Sequence, residues 1–217
     1  VDLNYAQEPD LYIANSTVVA QRIRKYYKKQ AIVINYPIDT SKFIYSEQKD
    51  DFYLASARLL GYKRIDTIVE AFNWLKWPLV ILGDGPERER LESKALKNVK
   101  LLGHVSDAER SHLMSKACAV IVAALEDYGL VPVEANASGT PVIAYGRGGV
   151  LDTQIPGQTG VFFNRQTPDA IQAALVDASE IVWDYEKIRH HAVSNFSEAA
   201  FFSKVDQIME EVSEFPN

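Results

Sequence analysis

Short apolar runs separated by amphipathic helical patterns constrain this chain more than any other feature. The runs are Leu11–Ala14, Ile32–Ile34, Phe52–Ser56, Leu79–Leu82, Lys100–Leu102, Ala119–Ala123, Val142–Ala144 and Gly160–Phe163. Most are apolar on both faces, as strands are when helices cover a sheet on either side. The alternation is the signature of βα units and predicts an α/β fold with a doubly wound parallel sheet of about six strands. In the clearest helix Ile65, Ile68, Val69 and Phe72 repeat at i, i+3, i+4 and i+7. Helix starts are signalled by Ser16-Thr17, by Ser106-Asp107 with Glu109, and by Pro86 and Pro168.

The pattern breaks at Tyr36-Pro37, and Asp39 to Asp51 is polar. Residues 1–37 then hold two strands and one helix, too little for a core of their own. They read as the remnant of another domain, with 38–51 as a linker, 52–180 as a complete doubly wound domain and 181–217 as C-terminal helices. Phe196, Phe201, Phe202, Val205 and Ile208 supply those helices with apolar faces. The strands of the remnant expose an edge expected to pair with a second copy.

Composition narrows the class. The 217 residues are 47% hydrophobic, but no run of eighteen apolar residues occurs. The first residues show no signal-peptide pattern. One cysteine, Cys118, lies in an apolar strand, reads as inert core and has no internal partner, which fits a reducing cytosol. His104, His112, His190 and His191 lack metal-ligand spacing. Net charge is −6, from 23 basic and 29 acidic residues. From Asp177 onward nine residues are acidic and three basic, so the excess sits in the tail. That argues against broad nucleic-acid binding. Arg22, Arg24, Lys25, Lys28 and Lys29 cluster on one helix with Tyr26 and Tyr27. A solvated face is the plainer reading, contact with anionic lipid headgroups the sharper one.

The chemistry concentrates in Glu126-Asp-Tyr-Gly-Leu-Val-Pro-Val-Glu134, directly after the strand Ala119–Ala123. Gly129 is expected to open a helix whose first N–H groups lack partners, at the positive end of its dipole. That is an anion site suited to phosphate. Two carboxylates beside it make sense as acceptors for hydroxyls of a sugar carried by that phosphate. The plainer reading places both glutamates by helix electrostatics alone. Arg58 and Lys63 follow the first strand of the complete domain, where open α/β sheets bind ligands. Facing Gly129, the two cations would clamp a diphosphate, whereas in isolation they would read as solvated charges. Gly83-Asp84-Gly85-Pro86 marks a tight strand–helix corner and is weak evidence for a nucleotide. Gly146-Arg-Gly-Gly149 is a loop able to bring backbone close to a ligand. There is no P-loop, dinucleotide fingerprint or Ser-His-Asp order.

Together Arg58-Leu-Leu-Gly-Tyr-Lys63, Val80-Ile-Leu-Gly-Asp-Gly-Pro86, Leu102-Gly-His-Val105, Glu126-x7-Glu134 and Ala137-Ser-Gly-Thr-Pro-Val142 occur in the order found in family-4 retaining glycosyltransferases. The chain resembles their C-terminal, donor-binding, Rossmann-like domain, one half of a two-domain B-type fold. Pro9-Asp-Leu-Tyr-Ile-Ala-Asn-Ser16 resembles the last unit of their N-terminal domain. Gly146-Arg-Gly-Gly149, Gly160-Val-Phe-Phe163 with Gln166-Thr-Pro168, and Ile188-Arg-His-His-Ala192 with Phe196-Ser197 are most similar to the bacterial O-antigen and exopolysaccharide mannosyltransferases.

The resemblance implies a hexosyltransferase acting with retention and without metal or cofactor. Glu126 would contact the donor sugar and Glu134 the ribose. Arg58 and Lys63 would hold the diphosphate with the N–H groups of Gly129 and Leu130, and Val105 would border the base. Gly83 and Tyr128 complete the expected donor contacts, and Glu126, Arg58 and Lys63 are the catalytic candidates. GDP-mannose is the first expected donor and a UDP-sugar such as UDP-glucose the second. A glycan or lipid-linked acceptor would bind mainly to the missing N-terminal domain, leaving this chain inactive alone. The expected location is cytoplasmic, peripheral at the inner face of the membrane. Arg64 and Asp152 depart from the glycine and glutamate usual in the family. The alternatives are a module that holds a nucleotide sugar or glycan without turnover, and an epimerase or phosphorylase-like use of the same architecture. Intact Arg58, Lys63, Glu126 and Glu134 favour transfer.

Overall fold

The computed structural model describes residues 2–213. After a short helix α1 (Asp2–Tyr5), strand β1 (Ile13–Ala14), helix α2 (Thr17–Tyr27) and strand β2 (Ile32–Val33) form one βαβ unit with a two-stranded parallel sheet. Ser16 caps α2 as its sequence predicts, its Oγ accepting from Val19 N at 3.2 Å.

The larger unit alternates strand and helix through β3 (Tyr53–Ser56), α3 (Ile65–Leu75), β4 (Leu79–Leu82), α4 (Arg88–Lys94), β5 (Val99–Gly103), α5 (Asp107–Lys116), β6 (Val120–Val122), α6 (Val131–Ala137), β7 (Val142–Tyr145), α7 (Val150–Thr153), β8 (Gly160–Phe163) and α8 (Pro168–Ser179). Helices α9 (Tyr185–Phe196) and α10 (Glu198–Ser213) follow. All six strands are parallel, in the order β5-β4-β3-β6-β7-β8. Alternate residues feed two cores. Ala55, Ile81, Ile121 and Ile143 face α3 and α8, while Leu54, Leu82, Val120 and Val142 pack with residues of α6 and α9. On α3, Ile65, Ile68, Val69 and Phe72 are all buried, each stabilising the domain by about 1.5–3 kcal/mol.

Three local details differ from the sequence expectations. Pro86 lies in the turn before α4, which starts at Arg88. Leu59 explains this: its N–H donates to Asp84 O (2.9 Å) and its carbonyl accepts from Glu87 N (3.1 Å), tying 84–87 to the β3 loop. Helix α6 starts at Val131 rather than Gly129, with Leu130 as its cap residue. Residues 38–51 are packed rather than free. Phe43 and Ile38 are buried, Ile38 N donates to Phe196 O (2.8 Å), and Ile44 N donates to Ser111 Oγ (2.8 Å). Cys118 is half-buried in a bend two residues before β6 rather than within a strand, and burial pushes its thiol pKa up.

Candidate functional site

Strands β3 and β6 are neighbours in the sheet, paired at Leu54 and Val120, yet the chain leaves them toward opposite edges. Beyond their carboxyl ends the two connections diverge and leave a crevice, the place where open α/β sheets bind ligands. The loop after β3 carries Arg58 and Lys63, and the loop after β6 carries Glu126 to Leu130.

The two loops meet through charge. The Lys63 ammonium is ion-paired with Glu126 Oε1, and the two side chains are only 17% and 20% exposed. Ser56, Ala57, Ala123 and Val131 line the small cavity, about 20 Å³, beside this pair. The Lys63 ammonium also sits 5.2 Å from the centroid of the Tyr62 ring. Arg58 is exposed and makes no ion pair among the described residues. A short 3-10 turn, Gly61–Lys63, shapes this loop, and Arg64 closes it at φ 56°. Glycine adopts this left-handed conformation freely, so the arginine preserves the path that a glycine would give the backbone. Its guanidinium is tied to Thr67 Oγ1 (2.8 Å), Gln166 O (3.3 Å) and Asp66 (3.6 Å).

Glu134 lies on α6, nearly buried, and is held by Arg110 of α5. Arg110 Nη1 donates to Oε2 at 2.6 Å and Nη2 to Oε1 at 3.1 Å, a bidentate pair. Burial works against the Arg110 charge, but the Glu134 carboxylate outweighs it and raises the arginine pKa. Each carboxylate oxygen keeps a lone pair free for a further donor such as a hydroxyl.

The remaining candidates divide. Val105 is half-buried just after β5, at the same end of the sheet. Gly83 has φ 112°, and a Cβ there would lie 2.0 Å from Ala57 O. The glycine is thus required for packing of one strand-end loop on another. Gly129 and Leu130 precede α6 at the mouth of the crevice. Tyr128 points away: its hydroxyl donates to Tyr36 O at 2.9 Å, and its ring meets Tyr36 edge-on at 6.0 Å. Burial pushes its pKa up. Sequence reasoning missed Arg110 and Gln166. Gln166 donates to Ala123 O at 2.6 Å across the end of β6. Its presence in Gln166-Thr-Pro168 was the available signal.

Among the described residues no three His, Cys, Asp or Glu side chains converge as a metal site, and no helix is long and apolar enough to cross a membrane. A wider cavity of about 590 Å³, lined by Gln158, Thr159, Trp183, His190 and Asn195, opens by the loop that enters β8. It lies by the amino end of β8, and its ion pair, Lys187 with Asp184 at 2.8 Å, comes from the start of one helix rather than from two facing loops.

Residues 38–195 match the family model described as glycosyl transferases group 1. An uncharacterized glycosyltransferase of Methanocaldococcus jannaschii is 26% identical over 173 residues, covering 77% of this chain and 49% of that protein. The O-antigen chain mannosyltransferase C of Escherichia coli is 24% identical over 211 residues, covering 86% and 52%. Among solved structures, sucrose-phosphate synthase from Thermosynechococcus elongatus superposes with a TM-score of 0.84 at 23% identity, over 98% of this chain and 61% of that one. The chain therefore spans about half the length of the curated relatives it matches.

Proposed function

The chain belongs to the group 1 glycosyl transferases, and from that premise we propose that it is the donor half of a retaining family-4 enzyme. It would bind a nucleotide diphosphate sugar at the β3–β6 crevice and serve transfer of a hexosyl group, mannose first, to a glycan or lipid-linked acceptor. One observation carries this reading: Lys63 and Glu126, from different loops, meet at the switch point of the sheet.

Arg58 and Lys63 hold the diphosphate together with the N–H groups of Gly129 and Leu130. Glu126 receives the sugar hydroxyls, Glu134 the ribose, and Val105 borders the base. During transfer the bond from the sugar C1 to the phosphate oxygen breaks as the acceptor oxygen bonds C1 from the same face. The hydroxyl proton passes to the departing phosphate. Catalysis then rests on positioning and on the cations that balance the growing phosphate charge, with no metal needed. The acceptor and the second wall of the cleft come from an N-terminal domain whose sheet β1 and β2 would complete. Exposed Ile13, Ile32 and Val33 on these strands favour either that partner or pairing with a second copy. The setting is cytoplasmic, with the basic face of α2 available to an anionic membrane surface.

Titration calorimetry with GDP, UDP, GDP-mannose and UDP-glucose tests the donor assignment. Binding of GDP and GDP-mannose, with the UDP compounds weaker, is expected. No nucleotide binding at millimolar concentration would overturn it. Turnover by this chain alone with radiolabelled GDP-mannose and lipid extract would contradict the half-enzyme reading.

A further inference from the structure

Three contacts from the βαβ unit of residues 1–37 converge on the loops that frame Glu126. Arg22 of α2 is ion-paired with Asp127, Nη1 to Oδ2 at 2.5 Å. Asp152 of α7 accepts a hydrogen bond from Thr17 N at 2.6 Å, so a residue of the larger unit caps the first turn of α2 beside Ser16. Tyr36 O accepts from Tyr128.

The two receiving loops are themselves locked together. Gly149 N donates to Glu126 O at 2.9 Å. A Cβ on Gly149 would stand 2.2 Å from Asp127 O and 2.4 Å from Tyr128 Cα, so the backbones are in direct contact. A shift of α2 against Asp152 or Asp127 therefore moves the segment that carries Glu126, while Lys63 and Arg58 stand on the other loop.

We propose that Arg22, Asp127 and Asp152 are positioning residues: they join α2 to the loop of Glu126 and set the geometry of the sugar end of the donor site, while the diphosphate cations Arg58 and Lys63 stand on the other loop. This rests on the donor reading proposed above. It also gives Asp152 a specific task, since its side chain reaches α2 rather than the crevice.

The test uses Arg22→Ala, Asp152→Ala, the exchanged pair Arg22→Asp with Asp127→Arg, and Arg24→Ala as a control on the same helix. Amide hydrogen exchange of residues 126–130 is measured without ligand, and affinities are measured for GDP and GDP-mannose. Arg22→Ala should speed exchange at 126–130 and weaken GDP-mannose about fivefold, the weight of a half-exposed ion pair, and Asp152→Ala should act the same way through its lost hydrogen bond; GDP should weaken less in both, since its diphosphate keeps Arg58 and Lys63. The exchanged pair should restore both readouts. Unchanged exchange at 126–130, an equal loss for GDP and GDP-mannose, or the same effect from Arg24→Ala would overturn the joint. If the unsubstituted chain binds neither nucleotide, the donor reading falls, and the exchange data alone then decide whether the joint exists.

Discussion

Lys63 and Glu126 hold each other across the crevice between the β3 and β6 loops, each largely shielded from solvent. In the proposed donor site a bound diphosphate would take over the Lys63 ammonium, and a bound sugar the Glu126 carboxylate. Each partner therefore holds the other in place.

Lys63→Ala should weaken GDP binding roughly ten- to hundredfold, since charge-assisted contacts contribute about 1.5–3 kcal/mol, while guanosine binding changes little. Glu126→Gln should spare GDP or tighten it, because it frees Lys63, and should weaken GDP-mannose. Calorimetry separates the two. Equal losses for GDP and GDP-mannose in Glu126→Gln would refute the division of labour.

Arg110→Ala leaves the nearly buried Glu134 carboxylate without its bidentate partner. The expected cost is about 2 kcal/mol, a fall in Tm of roughly 4–8 °C for a domain of this size. Adding Glu134→Ala should recover part of the loss, which a thermal scan detects. Glu134→Gln should weaken GDP and GDP-mannose alike.

The strands were legible because runs such as Leu79–Leu82 are apolar on both faces, and the order of motifs placed Arg58, Lys63 and Glu126 at one end of the sheet. The start of α6 was not, because Gly129 and Leu130 form an approach to the helix that composition does not distinguish from its first turn. Nor were the ion pairs: 24 residues separate Arg110 from Glu134, and 63 separate Lys63 from Glu126. No local periodicity records such contacts. Residues 38–51 read as a linker since their polar majority hides Ile38 and Phe43, which anchor the segment.

Arg64 offers a test of backbone strain. Its φ of 56° suits glycine, but its side chain holds Thr67 and Gln166. Arg64→Gly should shift stability by less than about 1 kcal/mol, relief of strain offsetting lost contacts. Arg64→Val keeps the strain, worsens it by β-branching and loses the contacts, so it should cost about 1–2 kcal/mol more. Urea unfolding of the two variants checks the order.

Lys49 gives the chain a pH signature. Burial pushes its pKa down to about 8 from 10.5, while its ammonium donates to Ser115 O (2.9 Å) and Thr140 Oγ1 (2.8 Å). Between these two values the unfolded chain holds a proton that the folded chain has released. Stability from this group therefore rises with pH across that window, by at most about 1.4 kcal/mol per pH unit. Below pH 8 the penalty for burying the charge is fully present. The stability difference between the unsubstituted chain and Lys49→Met, measured from pH 7 to 10.5, should shift in favour of lysine as pH rises. A flat difference would contradict the assignment.

A crystal structure of the chain with GDP would locate the donor. The diphosphate is expected at the β3–β6 crevice, with an oxygen within hydrogen-bond distance of Lys63 Nζ, the Lys63–Glu126 pair opened and the ribose beside Glu134. GDP seated instead in the cavity between Gln158 and His190, with that pair intact, would contradict it.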